Sequence, residues 1–241
     1  VVLAQKGFSD DFSDGDFQGD PKWIGETGKF VVNSKNQLQL NDSLKTGSAY
    51  LVAPSKIGRQ GEWEFFVQLD FAPSTANYAK VFLLSNSPNL DSSLEGYFVR
   101  IGGQSGTSDD ISLYRQKGNS AVKIIDGPDG TAAVNPMLWI KVSRDLNAKW
   151  SLFIDTSIRK ENYLLQGDII DDTFLHSTYA GVFCQYTSTR SDKFFFDDFR
   201  ADSAVFKDTL PPEIISLSIL TNKSLKIEFS ESISDSSALS I

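Results

Sequence analysis

LWIKVSRDLNAKWSLFID, residues 138–155, is the stretch that decides the fold class. Aliphatic side chains occupy every second position over residues 138–143, and the same two-residue period returns over residues 151–155 after a short polar connection. Alternation on both sides of a turn predicts a β-hairpin with one buried and one wet face. Because an isolated hairpin is only marginally stable in water, we expect this one at the centre of a larger sheet.

Strand patterns recur on both sides of this hairpin. The clearest is residues 63–71, where aromatic and aliphatic side chains occupy every second position. Further candidate strands, separated by turn-rich segments, are residues 30–32, 37–40, 78–84, 96–102, 110–116, 122–126, 180–187 and 193–201. No segment of a dozen residues has a good helical period. Many short strands at regular spacing predict an all-β sandwich or barrel.

The two ends of the chain differ from this pattern. Residues 1–4, VVLA, are predicted to be the remnant of a secretory signal, and residues 5–207 the β-sandwich. Residues 208–212 contain two adjacent prolines, which fix φ and remove donors, so a stiff linker is expected there. Residues 213–241 hold two more alternating strands, whereas an immunoglobulin-like sandwich needs about seven. We therefore expect the truncated start of a further domain, with more domains in the parent chain.

Composition excludes several classes of partner. The 241 residues carry a net charge of −8, so the electrostatic footprint needed for nucleic acid is missing. No apolar run approaches the roughly 20 residues of a membrane span, and membrane insertion is not expected. The single cysteine, Cys184, excludes an intrachain disulfide and is predicted to be a small buried hydrophobe within a strand.

Several motifs, taken together, resemble those of one family. They are FSDDFSDGDF (8–17), WEFFVQLDF (63–71), GYFVRIGG (96–103), DDISLYRQ (109–116) and FFFDDF (194–199). The chain resembles a concanavalin A-like or laminin-G-like jelly roll, specifically the N-terminal module of large secreted bacterial surface proteins, many of which carry lamin-tail domains. DTLPPEI (208–214) and LKIEFSES (225–232) resemble the start of a bacterial Ig-like domain.

This resemblance implies a secreted or cell-surface location, a multidomain parent and often a structural calcium ion. It implies no particular ligand, because the fold hosts lectins, adhesion modules and glycosidases alike.

Carboxylate catalysis is not predicted. Glycosidases of this fold resemble one another in a Glu-x-Asp-x-x-Glu strand that aims two carboxylates at the cleft. The nearest acidic strand here has Glu62 and Glu64, but Val67 stands where the last carboxylate would be. Residues 168–172 hold three aspartates, Asp168, Asp171 and Asp172, in a run that we interpret as a solvated loop.

Nucleophilic and zinc chemistry lack their residues as well. His176 is the only histidine and lies in a polar segment, so it is predicted to be a surface residue. One histidine and one cysteine fall short of a zinc site. The sequence therefore predicts a protein that is not an enzyme.

Two groups of residues could carry a function. The first is a structural Ca²⁺ site, for which the residues are Asp14, Asp16 and Asp197. In jelly rolls the N- and C-terminal strands lie side by side, so carboxylates from both ends can meet, and calcium accepts such ligands. The alternative is that these aspartates are turn and strand-end residues.

The second group is a sheet surface suited to sugars, with aromatic rings for stacking and polar groups for hydroxyls. Its candidate ligand-binding residues, if neighbouring strands share parity, are Phe98, Arg100, Tyr114, Gln116, Trp139 and Lys141. The alternative is that these side chains face the core or a covering loop, because a one-residue register change would turn each strand over.

The function predicted from the sequence is therefore a non-catalytic secreted or cell-surface module that binds carbohydrate, a polysaccharide or cell-surface glycan, or serves adhesion. One alternative is a structural spacer of a multidomain surface protein, and a third is a glycoside hydrolase of the same fold. Exposed aromatics on a concave face would favour binding, and a face filled by loops would favour the spacer.

Overall fold

The computed structural model describes residues 7–157, 159–203 and 213–229, so the predicted signal remnant (1–4) and linker (208–212) lie outside the described residues. The chain divides into two units, residues 1–204 and residues 205–241. The first unit is a sandwich of two antiparallel sheets, which confirms the predicted all-β jelly-roll class.

The eight-stranded sheet has the order β13-β12-β11-β6-β15-β4-β3, and β1 also pairs with β15. Its strands are β1 (Phe8–Asp10), β3 (Phe30–Val32), β4 (Leu38–Leu40), β6 (Gly61–Leu69), β11 (Met137–Arg144), β12 (Lys149–Asp155), β13 (Leu164–Ile170) and β15 (Phe194–Asp202).

The seven-stranded sheet has the order β10-β9-β8-β7-β14-β5-β2. Its strands are β2 (Ile24–Gly25), β5 (Gly47–Pro54), β7 (Tyr78–Ser85), β8 (Leu94–Gly102), β9 (Ile111–Gly118), β10 (Ser120–Ile125) and β14 (Tyr179–Tyr186). Short 3₁₀ turns occur at Thr27–Lys29, Gly106–Ser108 and Ser188–Arg190. None of the helical turns in the described part of the chain has the length and apolar character needed to span a bilayer.

The hairpin predicted at residues 138–155 is formed by β11 and β12, with Ile140 opposite Ile154 and Val142 opposite Leu152. It is flanked by β6 and β13, as expected for a hairpin that needs neighbouring strands for stability. Its turn is closed by the Asp145 carboxylate, which accepts the backbone N–H groups of Asn147 and Lys149 at 2.9 Å each.

The core lies between the two sheets and is rich in aromatic rings. Trp63 of β6 stacks on Trp150 of β12 with ring centroids 5.4 Å apart, and Tyr97 of β8 reaches Trp150 across the sandwich at 4.6 Å. Cys184 is buried in β14, which confirms its predicted role as a packed hydrophobe. His176 is exposed, as predicted.

Four strands were not predicted, and one interpretation was wrong. Strands β1 and β5 have no clear two-residue period, β2 has only two residues, and β13 exposes side chains on both faces, so no alternation marked them. Asp168 lies in β13 rather than in a loop. Asp171 is only 8 % exposed, and so the prediction of a solvated carboxylate was wrong for it.

One buried arginine joins the layers at an end of the sandwich. Arg144 is 0 % exposed, and its guanidinium donates hydrogen bonds to the backbone carbonyls of Gly58 (2.8 Å), Phe174 (2.7 Å) and Asp171 (2.9 Å). Its guanidinium carbon lies 4.8 Å from the centroid of Trp150. Burial lowers the pKa of Arg144. The nearby carboxylates of Asp171 and Asp172 act on this pKa in the opposite direction.

The Asp171 side chain completes this junction. Its Oδ1 accepts a hydrogen bond from the Tyr97 hydroxyl at 2.5 Å, and its other oxygen pairs with Arg115 of β9. The indole N–H of Trp150 donates to the Asp171 carbonyl at 3.0 Å. One loop residue thereby holds strands from both sheets.

The second unit, in its described residues, is the hairpin of β16 (Ile214–Thr221) and β17 (Ser224–Phe229). Most of its side chains are exposed on both faces, including Ile219 and Leu225. Two antiparallel strands agree with the pattern predicted for this segment, and the Ig-like domain stays a prediction.

We expect the substitution Arg144→Met to lower the free energy of unfolding by about 3 kcal/mol or more, because buried carbonyls would lose charge-assisted donors. Urea denaturation measures this loss. The matched control is Arg59→Met at an exposed arginine, which should stay within about 0.5 kcal/mol of the wild type. A loss below about 1 kcal/mol for Arg144→Met would contradict the junction's structural role.

Candidate functional site

The six residues predicted to form one sugar-binding surface lie on two different sheets. Phe98 pairs with Tyr114 across β8 and β9, and so these residues share the outer face of the seven-stranded sheet with Arg100 and Gln116, as expected. Trp139 and Lys141 lie on β11 of the eight-stranded sheet. The single six-residue surface is therefore wrong, because the chain crosses to the other sheet between β10 and β11.

The rings predicted to stack on sugars are also covered by cations. Tyr114 is 6 % exposed, with the Arg100 guanidinium carbon 4.6 Å from its ring centroid. Trp139 is 7 % exposed, with the Lys160 ammonium nitrogen 3.7 Å from its centroid. Neither ring offers a bare face to a ligand.

Part of the outer face of the seven-stranded sheet is covered by the loop of residues 86–93. Leu90 of this loop is buried in a cluster with Val52, Phe82, Phe98, Tyr114 and Phe183. Two of the hydrogen bonds that hold the loop are from the Ser48 hydroxyl to Asp91 (2.7 Å) and from the Gln116 amide to the Ser92 carbonyl (3.4 Å). Gln116 is buried as a result.

The uncovered part of this face is formed by Tyr50, Tyr78, Lys80 and Arg100, which we call the open patch; all four are partly exposed. Lys80 of β7 lies directly opposite Arg100 of β8 and opposite Phe183 of β14, which in turn lies opposite Tyr50 of β5. The row therefore crosses four neighbouring strands, with the buried Phe183 between Lys80 and Tyr50 and with Tyr78 beside Lys80.

Aromatic rings surround the Lys80 ammonium group. Its nitrogen lies 4.7 Å from the ring centroid of Phe183, 5.0 Å from that of Phe98 and 5.9 Å from that of Tyr78. Burial lowers the pKa of Lys80 and raises that of Tyr78.

The backbone at Gly103 lies directly beside the open patch. Its φ is +87°, and a Cβ on this residue would lie 3.1 Å from the Tyr78 ring and 3.2 Å from Arg100 Nε. A side chain at this φ would also be strained, so the position favours glycine.

Tyr50, Tyr78 and Lys80 were not identified from the sequence. Tyr50 lies in β5, which has no clear two-residue period, and so that strand was missed. Lys80 was a usable signal, since it is the only charged residue in YAKVFLLS (β7) and has the same parity as Phe82.

A second candidate site is an acidic cavity of about 410 Å³ beside the eight-stranded sheet. Strand β1 pairs with β15, which confirms that the two ends of the jelly roll lie side by side. The cavity is lined by Ser9, Asp10, Asp11, Ser13, Asp14, Asp20, Glu64, Lys160, Asp198, Phe199 and Arg200. Its cations are Lys160 and Arg200. The Lys160 ammonium lies 3.4 Å from Glu64 and 3.6 Å from Asp198, and the Tyr163 hydroxyl donates to Glu64 at 3.0 Å.

The residues predicted for calcium do not converge on this cavity. Asp14 lines it, whereas Asp16 and Asp197 are outside the set of lining residues. Asp14 and Asp16 cap turns, with Asp16 Oδ1 accepting the N–H groups of Gln18 (2.6 Å) and Gly19 (3.1 Å). Among the described residues, no three His, Cys, Asp or Glu side chains form a group that could hold a metal ion. As placed, the predicted residues do not fit calcium.

Asp197 is nonetheless an unusual carboxyl. Burial raises its pKa to about 6, an effect to which the negative charges of Asp198 and Asp11 add. Two interactions oppose this rise in pKa. They are the hydrogen bond from the Asp198 N–H to Asp197 Oδ1, at 2.8 Å, and the positive charge of Lys160. A carboxyl with such a pKa near a cavity is a candidate for function, although buried structural carboxyls behave in the same way.

The described fold is similar to that of several solved structures. The VIP36 exoplasmic/lumenal domain in its Ca²⁺- and mannose-bound form is 9 % identical, with 88 % of this chain and 91 % of that chain covered and a TM-score of 0.58. The Emp47p carbohydrate recognition domain is 10 % identical (85 % and 99 % covered, TM-score 0.57). The Bacillus licheniformis β-glucanase is 9 % identical (82 % and 98 % covered, TM-score 0.55).

At these identities the likeness shows the fold alone, a concanavalin A-like lectin and glucanase jelly roll. No family model and no curated protein matches the chain. The laminin-G, lamin-tail and Ig-like parts of the predicted resemblance stay predictions.

We expect Asp197→Asn to stabilise the protein at pH 8 and to have little effect at pH 4. A carboxyl whose pKa is raised from 3.8 to about 6 binds its proton more tightly when folded, so its stabilising effect is lost as the pH rises through 6. The difference corresponds to about 3 kcal/mol at most, reduced by solvent screening to about 1–2 kcal/mol. The asparagine keeps the oxygen that accepts the Asp198 N–H.

Urea denaturation at both pH values measures this effect, with Asp192→Asn at an exposed carboxyl as the control. A destabilisation by Asp197→Asn at pH 8 would contradict the raised pKa and would indicate that a cation compensates this carboxylate in solution.

Proposed function

We propose that this chain is a non-catalytic, secreted or cell-surface module that binds carbohydrate through the open patch. The observation that carries the proposal is the row of partly exposed Tyr50, Lys80 and Arg100, with Tyr78 beside it, on the outer face of the seven-stranded sheet. Tyrosine rings offer apolar contact to sugar rings, and the cationic side chains offer hydrogen-bond donors to hydroxyls.

Two further observations support this proposal. Ser48 and Gln185 are partly exposed and extend the patch with polar groups, since Gln185 lies opposite Tyr78 and opposite Ser48. In addition, solved structures with a similar fold include a lectin domain bound to mannose and a carbohydrate recognition domain.

A structural spacer is the second candidate, and one observation favours it. The loop of residues 86–93 fills part of the predicted binding face, and the rings of Tyr114 and Trp139 are buried. A spacer requires no exposed recognition groups, so binding to glycans separates the two candidates.

A glycoside hydrolase is the third candidate, because the similar structures include a β-glucanase. The acidic cavity contains Glu64 near Asp198, and Asp197 has a raised pKa. Against hydrolysis, Lys160 and Tyr163 already engage Glu64, and the cavity is on the eight-stranded sheet, away from the open patch.

Retention on insoluble polysaccharides and a glycan array, with reducing-sugar release measured in parallel, tests the proposal. We expect binding without turnover, and Tyr78→Ala should weaken it about fivefold, the equivalent of roughly 1 kcal/mol of ring contact. Tyr163→Ala, at a partly exposed tyrosine beside the other sheet, is the matched control. Release of reducing sugar would favour the hydrolase, and the absence of binding to any glycan would favour the spacer.

Thermal unfolding tests the calcium site predicted from the sequence. VIP36 structures exist in calcium-bound and metal-free forms, so the fold itself forms in both conditions. Because the residues as placed do not fit the ion, we expect thermal unfolding to occur at the same temperature in chelator and in millimolar calcium. A higher temperature in calcium that Asp197→Ala abolishes would restore the predicted site.

A further inference from the structure

The two cations of the open patch are direct cross-strand neighbours. Lys80 and Arg100 occupy opposite positions on β7 and β8, where side chains of a sheet are in contact range and like charges repel. The folded chain therefore holds two positive charges together on one surface, within a protein whose net charge is −8.

No carboxylate forms an ion pair with either cation in the part of the chain that the structure describes. Two carboxylates act on them at longer range. Burial lowers the pKa of Lys80 and raises that of Asp109, and these shifts are opposed by the charge of Asp91 at Lys80 and by the charge of Arg100 at Asp109. Asp91 is exposed and accepts the Ser48 hydroxyl, and Asp109 is buried and accepts the Gln104 N–H at 2.8 Å. One oxygen of each carboxylate is engaged elsewhere, and Asp109 Oδ2 is buried with no hydrogen-bond partner among the described residues.

The donors of Arg100 are also incompletely used. Its Nε is buried and, among the described residues, has no hydrogen-bond partner. The contacts of both cations with aromatic rings stabilise the charges without neutralising them. The patch thus retains its positive charge.

The same contacts limit what a neutral sugar could gain. Arg100 occupies the face of Tyr114, and Lys80 is packed against Phe98 and Phe183. The buried rings are therefore covered by the two cations, and a ligand meets the charged groups together with the rings of Tyr50 and Tyr78.

We propose that the open patch takes an acidic polysaccharide, a sugar chain that carries carboxylate or sulfate groups, with Lys80 and Arg100 as its anion-binding pair. This inference rests on the proposed carbohydrate-binding function and specifies its ligand class. Charge-assisted hydrogen bonds from an ammonium and a guanidinium to one anionic group supply affinity, and the anion relieves the repulsion between the two cations.

The test is binding of the full chain to polygalacturonate, a sulfated galactan, a neutral β-glucan and single-stranded DNA, measured by calorimetry at low and high salt. We expect binding to at least one of the two acidic polysaccharides, weakened by salt, and the arm that binds identifies the anionic group. Lys80→Met and Arg100→Met should each weaken this binding about tenfold. Lys149→Met, which removes an exposed lysine from the other sheet, is the matched control.

We expect the substitution Asp91→Asn to have the opposite effect on binding. Asparagine keeps an oxygen for the Ser48 hydroxyl and removes a negative charge that interacts with Lys80, so acidic polysaccharide should bind severalfold more tightly. Thermal unfolding checks that each variant is folded.

Three results would overturn the inference. Binding of the neutral glucan that Lys80→Met leaves unchanged would keep the carbohydrate-binding function and remove the acidic ligand. Equal binding of DNA would indicate nonspecific attraction of polyanions. Absence of binding to every polysaccharide would remove the proposed function together with its ligand class.

Discussion

The fold depends on the buried guanidinium of Arg144, which joins elements that are distant in sequence. It binds carbonyls of Gly58 and of the loop at residues 171–174, while the Asp171 carboxylate binds Tyr97 and Arg115 of the opposite sheet. An arginine without these acceptors could not be buried, because the desolvation of its charge would be uncompensated. The position of the loop and the alignment of the two sheets are therefore linked at this end of the sandwich.

Cations packed on aromatic rings recur throughout the first unit, and their surroundings decide what they do. Lys160 on Trp139 is balanced by Glu64 and Asp198, so the outer face of the eight-stranded sheet satisfies its own charges there. Lys80 and Arg100 have rings but no ion pair among the described residues. The difference between the two sheets is thus one of charge compensation, since both present the same kind of aromatic and cationic pairs.

The sequence predicted the class of fold because one-sided burial leaves a two-residue period in strands such as β6, β11 and β12. It did not predict β5, whose sequence GSAYLVAP lacks that period, or the change of sheet between β10 and β11. The missed change of sheet caused the error in the predicted site, because Trp139 was assigned to the same surface as Phe98 and Tyr114 although it lies on the other sheet. Alternation states which residues share a face of one strand, but it carries no information about which strand is the neighbour.

The functional argument consequently rests on particular side chains rather than on the fold. Jelly rolls of this kind include both lectins and glucanases, so the architecture leaves binding and hydrolysis open. Cations cover the rings of Tyr114 and Trp139 where a sugar ring would stack, which argues against a surface that binds neutral sugars by stacking. On the eight-stranded sheet, carboxylates compensate the charge of Lys160. On the seven-stranded sheet two adjacent cations remain without ion pairs in the described chain, and a ligand that brings its own negative charge is the partner whose binding this arrangement favours most.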